Sequence, residues 1–211
     1  MTKSIYCFLG LPASGKGTQA KVFAKKQHCS ILSIGDLVRE YISNNPASDK
    51  GIEMKQKYDQ GIPQDDKTIF SLIQDKIASI DGGIVLDNFP FSEGQALFVK
   101  DLMAKYNFDA ATLVYIEIKP DTAKKRIGTR KICPDCKSIY KDESIDKCSK
   151  CGAKLVIRSD DNEETLDQRI REYLPRAEKV IETFSKFGKV IRINGEPEIE
   201  KVTDEINLKV K

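Results

Sequence analysis

The sequence predicts an α/β fold in which five short parallel strands form a sheet with helices on both faces. Three observations predict it. Short β-branched runs alternate with longer segments of helical spacing, a phosphate-loop motif joins the first strand to the first helix, and four of the six cysteines fall in one stretch as two C-x2-C pairs. A chain of 211 residues holds one domain, or one domain carrying inserts. Lys plus Arg number 35 against 32 Asp plus Glu, a net charge of +3, and 40% of residues are hydrophobic. That balance belongs to a soluble globular protein and argues against a disordered chain or a dedicated nucleic-acid binder. No apolar run reaches the roughly 18 to 20 residues that span a bilayer, which excludes a membrane helix. Ile5 to Leu11 (IYCFLGL), after Lys3, superficially resembles a secretory signal, but it is short for one and overlaps the phosphate loop.

Strands are expected at Ser4 to Leu9, Ile31 to Ser33, Ile84 to Asp87, Thr112 to Ile118 and Val190 to Ile193, each an apolar run bounded by turn residues. Helices are expected at Lys16 to His28, Gly35 to Asn44, Ile52 to Gln60, Asp66 to Ser79, Ser92 to Tyr106, Thr122 to Arg130, Glu163 to Phe187 and Glu198 to Val210. Two segments interrupt the alternation and read as inserts on the sheet core: the helices from Gly35 to Ser79, and the cysteine stretch from Lys131 to Ile157. Pro175 predicts a kink or break near Leu174. Asp160-Asp-Asn-Glu-Glu164 reads as an acidic helix start that suits the dipole.

Gly10-Leu-Pro-Ala-Ser-Gly15-Lys16-Gly17-Thr18 follows a strand and opens a helix, the context a phosphate loop requires. Its glycines let successive N–H groups turn toward phosphate oxygens. The helix start adds a positive dipole end, and the Lys16 ammonium reaches the β and γ phosphates. Here Gly17 follows the lysine and the hydroxyl comes one place later, at Thr18.

Cys133, Cys136, Cys148 and Cys151 have the spacing of a zinc site: each C-x2-C knuckle puts two sulfurs on one ion at about 2.3 Å, and two knuckles complete a tetrahedron. A disulfide pair or a redox-active C-x-x-C fits the doubled spacing less well. Cys7 and Cys29 read as buried small apolar residues. With no disulfide framework, a reducing compartment is expected.

Taken in order, Gly15-Lys-Gly-Thr-Gln19, Ser33-Ile-Gly-Asp-Leu-Val-Arg39, Leu86-Asp-Asn-Phe-Pro90 with Gln95, Arg126 and Arg130, and Arg158-Ser-Asp-Asp-Asn-Glu-Glu-Thr165 with Arg169 resemble the adenylate kinase family over nearly the whole chain. The resemblance implies a P-loop core of residues 1–32, 67–130 and 158–211 built on a five-stranded parallel sheet. On it sit a helical insert at 33–66 that binds the nucleoside monophosphate (NMP) and a zinc-ribbon lid at 131–157 in which Zn2+ is structural. The implied reaction is reversible transfer of a phosphoryl group from MgATP to AMP, giving two ADP. By the same resemblance Lys16, Arg130, Arg158, Arg169 and Asp87 carry the chemistry, Asp87 through waters on Mg2+. The ATP site would comprise Gly10, Ala13, Ser14, Gly15, Lys16, Gly17, Thr18, Arg126 and Arg130, with Arg126 against the adenine. The AMP site would comprise Ile34, Gly35, Arg39, Gln64, Asn88, Phe91, Gln95, Arg158 and Arg169, with Arg39 holding the monophosphate and Gln95 its base. A cytoplasmic monomer without nucleic-acid or membrane partners is also implied.

A phosphate monoester is already ionised near neutral pH, so its oxygen needs no general base. His28, the single histidine, is therefore expected at a surface or helix end. Arginine suits the phosphate contacts because its planar fork makes paired hydrogen bonds and keeps its charge when water is expelled.

Four departures from the family pattern cluster at the acceptor side: Phe91 in place of an arginine, Asn88 in place of a glycine, Ile34 in place of a threonine and Gln64 in place of a valine. On the donor side only Ala13 departs, where glycine is usual. Two alternatives stand beside AMP phosphorylation: an NMP kinase of other acceptor specificity, and a zinc-ribbon nucleotide-binding module of low turnover. A zinc-ribbon nucleic-acid-binding ATPase is a third, but it would need a basic patch with interleaved aromatics that Lys124-Lys125-Arg126 and Arg130-Lys131 do not supply.

Overall fold

The computed structural model describes residues 3–128, 130–140, 142, 144–157 and 161–210. Arg158, one of the expected phosphate contacts, lies outside the described residues. The elements follow in order as β1 (Ser4–Gly10), α1 (Lys16–Gln27), β2 (Ser30–Ser33), α2 (Ile34–Asn44), α3 (Asp49–Asp59), α4 (Asp66–Ile77), β3 (Ile84–Asp87) and α5 (Glu93–Tyr106). They continue with β4 (Ala110–Glu117), α6 (Pro120–Gly128), β5 (Lys131–Ile132), β6 (Ile139–Tyr140), α7 (Glu163–Ser185), β7 (Lys189–Asn194) and α8 (Ile199–Val210). The five expected strands form one parallel sheet in the order β2-β3-β1-β4-β7.

Side-chain alternation along β1 explains why helices cover both faces. Ile5, Cys7 and Leu9 point into one core with Leu86, Leu113, Phe89 and α5 and α7, while Phe8 points into the other with Val85, Val114, Phe23 of α1 and Val202 and Ile206 of α8. Ligand-binding crevices in such sheets open at the carboxyl ends of the strands, and the phosphate loop lies at the end of β1.

Several expectations are corrected. The chain does not break at Pro175: α7 runs through it from Glu163 to Ser185. Ile170, Tyr173, Ala177, Val180 and Phe184 are buried on both sides of the proline, whereas Leu174 and Pro175 face solvent, the side on which a helix tolerates a lost hydrogen bond most easily. Helix α6 ends at Gly128, so Arg130 lies beyond it, at the root of the cysteine segment. Cys7 is buried as expected, but Cys29 is half-buried, because it follows the left-handed cap at His28 where the chain leaves α1 at the surface. His28 is exposed, as expected of a helix end. Of the acidic stretch before α7, Asn162 makes the cap, accepting from Thr165 N–H, with Glu163 and Glu164 in the first turn.

Strands β5 and β6 pair antiparallel and, with bridges from Ile132 to Val156 and from Lys147 to Lys154, make the small four-cysteine lid. Among the described residues its buried interior is Cys133, Cys148 and Leu155, flanked by Tyr140, Ile145 and Ala153. So small a core calls for a metal.

Candidate nucleotide site and metal centre

The phosphate loop owes its shape to residues without room for side chains. A Cβ on Gly10 would stand 2.5 Å from the Ile116 carbonyl oxygen, and Gly15 has φ +91°, which favours glycine. Ala13 also sits at positive φ, 60°, so the alanine occupies a conformation that glycine would hold without strain. Lys16 Nζ donates to Leu11 O at 3.1 Å, folding its ammonium back over the loop. A Cβ on Gly17 would lie 3.1 Å from Asp87 Oδ2, so the glycine after the lysine lets α1 start close against the end of β3. No acidic residue occupies the first turn of α1, which leaves its positive end to a ligand. Asp87 is buried, and burial pushes its carboxyl up against the opposing influence of Lys16 and Ser33.

Arg126 ties the phosphate loop to the turn after β7: it donates to Ala13 O at 3.4 Å, Gly195 O at 3.0 Å and Glu196 O at 3.1 Å. Arg130, expected on ATP phosphates, makes a paired contact with Asp161, Nε to Oδ2 being 2.7 Å and Nη2 meeting Oδ1. Asp161 is almost wholly covered, so this pair joins the two chain segments that root the lid.

Among the residues expected at the AMP site, Arg39 donates to Asp36 Oδ1 at 2.6 Å and Tyr58 Oη at 2.9 Å. Asn88 adopts φ +64°, which explains why glycine gives way to asparagine there: Asn tolerates the left-handed region better than other side chains. Gln95 accepts from Phe91 N–H at 2.7 Å and donates to Asp66 Oδ1 at 2.7 Å, while Ser92 Oγ donates to the second oxygen of Asp66. Phe91 packs against Tyr173, with ring centroids 6.0 Å apart, and under the guanidinium of Arg176, 5.3 Å from its centroid. The position where the family pattern has a cation is thus an aromatic ring with a cation behind it.

All of these residues meet. Gly10, Ala13, Ser14, Gly15, Lys16, Gly17, Thr18, Arg126 and Arg130, together with Ile34, Gly35, Arg39, Gln64, Asp87, Asn88, Phe91, Gln95 and Arg169, line one cavity of about 480 Å³. Oε1 of Gln64, Oδ1 of Asp87 and Oη of Tyr173 are buried without a hydrogen-bond partner among the described residues, and all three residues line this cavity. Each unpaired buried polar atom costs about 1 to 3 kcal/mol, a cost that falls on residues grouped around the cavity.

Sequence reasoning missed other cavity residues, among them Lys21, Tyr58, Lys137, Ile139 and the turn Gly195–Pro197. The turn follows β7, and the rule that crevices open at strand carboxyl ends could have found it. Lys137 and Ile139 arrive only because the cysteine segment folds over the cavity.

The four Sγ atoms of Cys133, Cys136, Cys148 and Cys151 lie within 4.8 Å of one another, with Cys133 to Cys151 and Cys136 to Cys148 each at 3.4 Å. A tetrahedral Zn2+ with sulfur at about 2.3 Å needs sulfurs about 3.8 Å apart, so the cluster fits that ion. Tyr140 Oη stands 3.2 Å from Cys148 Sγ and receives the Ser149 N–H at 2.9 Å, an outer support for one ligand. Four thiolates leave no open position, and the site is structural.

The family model for adenylate kinase matches residues 8–189. The chain is 32% identical over 204 residues to an adenylate kinase of Petrotoga mobilis, covering 94% of each chain, and 33% identical over 206 residues to one of Thermosipho africanus, covering 94% of this chain and 95% of the relative. An adenylate kinase of Dehalococcoides mccartyi is 32% identical over 210 residues, covering 97% of this chain and 96% of the relative. With that match over most of its length, and with a phosphate loop and a four-cysteine lid at one cavity, the chain belongs to the adenylate kinase family.

Proposed function

We propose that the chain transfers the γ-phosphoryl group of MgATP reversibly to AMP, giving two ADP, with the phosphate loop as donor site and the Arg39, Gln64, Phe91 and Gln95 side of the cavity as acceptor site. The observation that carries this reading is the single cavity that all described candidate residues share. In it Lys16 and the loop amides hold the donor phosphates, Arg126 lies against the ATP base, and Arg39 holds the monophosphate. Arg130, Arg158 and Arg169 neutralise charge on the group in flight. Asp87 would hold the waters of Mg2+ bound with ATP, which would supply charge neutralisation to the phosphates. No general base is required, and His28 on the surface supplies none. The reading divides the chain into a core (1–32, 67–130, 158–211), an insert (33–66) and a lid (131–157). It also carries the family's expectation of a cytoplasmic monomer. No described helix is long and apolar enough to cross a membrane.

A second reading, an acceptor other than AMP, is favoured by one observation: Phe91 and its Tyr173 contact stand where a phosphate-gripping arginine is usual. Coupled detection of ADP with MgATP and a panel of AMP, CMP, UMP, GMP and dAMP separates the readings. AMP ranking first supports the proposal, and another monophosphate ranking first replaces it. Absence of turnover with every acceptor would leave only a nucleotide-binding module. Lys16→Met should cut turnover by about 10²-fold or more, since it removes a charge from the transferring phosphates.

A further inference from the structure

Gln19 closes the run Gly15-Lys-Gly-Thr-Gln19 one helical turn past the phosphate loop, where its main-chain N–H donates to Gly15 O at 2.9 Å. The residue is buried, and both ends of its carboxamide are engaged by α8. Nε2 donates to Ile199 O, 180 residues along the chain, at 2.9 Å, and Oε1 accepts from Thr203 Oγ1 at 2.8 Å. Turning the amide over would set oxygen against the Ile199 oxygen, so its orientation is fixed. The Thr203 hydroxyl also stands 2.8 Å from Ile199 O, but that carbonyl already has the Gln19 donor, and the hydroxyl proton is needed at Oε1, which burial would otherwise leave unpaired. Ile199 begins α8 and ends the turn that leaves β7. The upstream half of that turn is held from α6: Arg126 donates to the Gly195 and Glu196 carbonyls, and the Glu196 carboxylate accepts from Lys119 N–H at 2.7 Å and from Thr122 Oγ1 at 2.9 Å. The downstream end is held by Gln19, from the helix that opens at the phosphate loop. Gln19, Glu196, Pro197 and Ile199 line the same cavity as Lys16.

We infer that Gln19, with Thr203, is a positioning residue for the donor nucleotide: it sets the turn after β7 at a fixed distance from the phosphate loop, so that the base and the triphosphate of ATP meet their two walls together. The inference rests on the donor half of the proposed reading, in which Arg126 lies against the ATP base. A ligand that bridges two walls binds best when their spacing is set beforehand, because ordering them on binding costs affinity. A ligand that touches the phosphate loop alone gains nothing from that spacing. The loop keeps restraints of its own, Ser14 N–H to Leu11 O at 3.1 Å and Lys16 Nζ to the same oxygen, so loss of the Gln19 link frees the turn without opening the loop.

The test compares calorimetric Kd values for MgATP and for magnesium tripolyphosphate, which has the phosphates without the base, in the wild type, Gln19→Met, Thr203→Val and Thr203→Ser. Gln19→Met and Thr203→Val should weaken MgATP about three- to tenfold, the effect of one buried hydrogen bond, and leave tripolyphosphate unchanged. Thr203→Ser, which keeps the hydroxyl, should match the wild type. KM for ATP should rise by the same factor while kcat and KM for AMP hold. An unchanged Kd for MgATP in both weakening variants overturns the inference. Equal weakening of tripolyphosphate does so too, since it would place the effect in the phosphate loop, as does a Thr203→Ser that fails like Thr203→Val. If Gln19→Met does not fold, the two Thr203 variants decide. Turnover of MgATP with AMP by the wild type tests the phosphotransferase reading separately: binding of MgATP without turnover sinks that reading alone, whereas no binding of MgATP sinks both.

Discussion

The ammonium of Lys21, on the outer side of α1, donates to the main-chain carbonyl of Lys137, 3.1 Å away and 116 residues along the chain. Lys137 follows Cys136 directly and holds φ +57°, so the metal knuckle turns its carbonyl outward toward the helix that begins at the phosphate loop. Metal geometry and lid docking are thereby joined at one peptide unit. Lys21→Met should raise KM for ATP about three- to tenfold with little change in Tm, and Lys21→Arg should restore it, as expected of one charge-assisted hydrogen bond. In zinc-depleted enzyme Lys21→Met should have no further effect; additive losses would show that Lys21 acts elsewhere.

Metal removal tests the four-cysteine centre itself. Cys133, Cys148 and Leu155 are too few to hold the lid by burial alone. Chelation or Cys151→Ser should lower Tm by about 5 °C or more, and elemental analysis should find zinc at one equivalent per chain. Unchanged stability in the metal-free protein would assign the lid fold to its backbone bridges.

At Phe91 a cation is missing from the cavity wall and Arg176 stands behind the ring. Phe91→Arg should raise kcat/KM for AMP about tenfold or more by adding a charged contact to the monophosphate, and should lower Tm because it removes the ring contact with Tyr173 and faces Arg176. Adding Arg176→Ala should recover part of the lost stability. Unaltered or reduced kcat/KM in the single variant would mean that the acceptor pocket has been reshaped around the phenylalanine.

Burial of the Asp87 carboxyl costs stability. Its carboxyl titrates above the usual range because it is buried, so the folded chain holds that proton more tightly than the unfolded one does. Stability therefore falls as pH rises from the unfolded value near 3.9 through the higher folded one, and the cost of burying the charge is complete above it. Asp87→Asn should accordingly raise the Tm of the ligand-free protein at pH 7 by a few degrees, with the difference vanishing below about pH 4, while turnover drops about 10²-fold. A lower Tm at pH 7 would show that the Lys16 and Ser33 interactions outweigh the desolvation.

The parallel sheet was legible because its three central strands, β1, β3 and β4, are largely apolar on both faces, a pattern carried by residues adjacent in the chain. Ser4 to Leu9 could be read without knowing what covered it, and the structure extends the strand by only one residue. Pro175 misled for the opposite reason. Its local cost was read correctly, but residues such as Tyr173 and Phe184, buried by distant elements, hold α7 together across it. Phe91 could be flagged as a departure, yet nothing in its neighbours along the chain told where Arg176 would stand.

By itself the sequence determined the phosphate loop, the four thiolates and the strand–helix alternation, because each depends on residues close together along the chain, where backbone geometry dictates spacing. Only the tertiary structure decided that Arg130 meets Asp161, that Asp66 holds Gln95, and that Lys21 reaches the lid. These are contacts between segments tens of residues apart or more, and which donor finds which acceptor there is settled by how the helices and the lid pack on the sheet, not by any pattern that a short stretch of chain can carry.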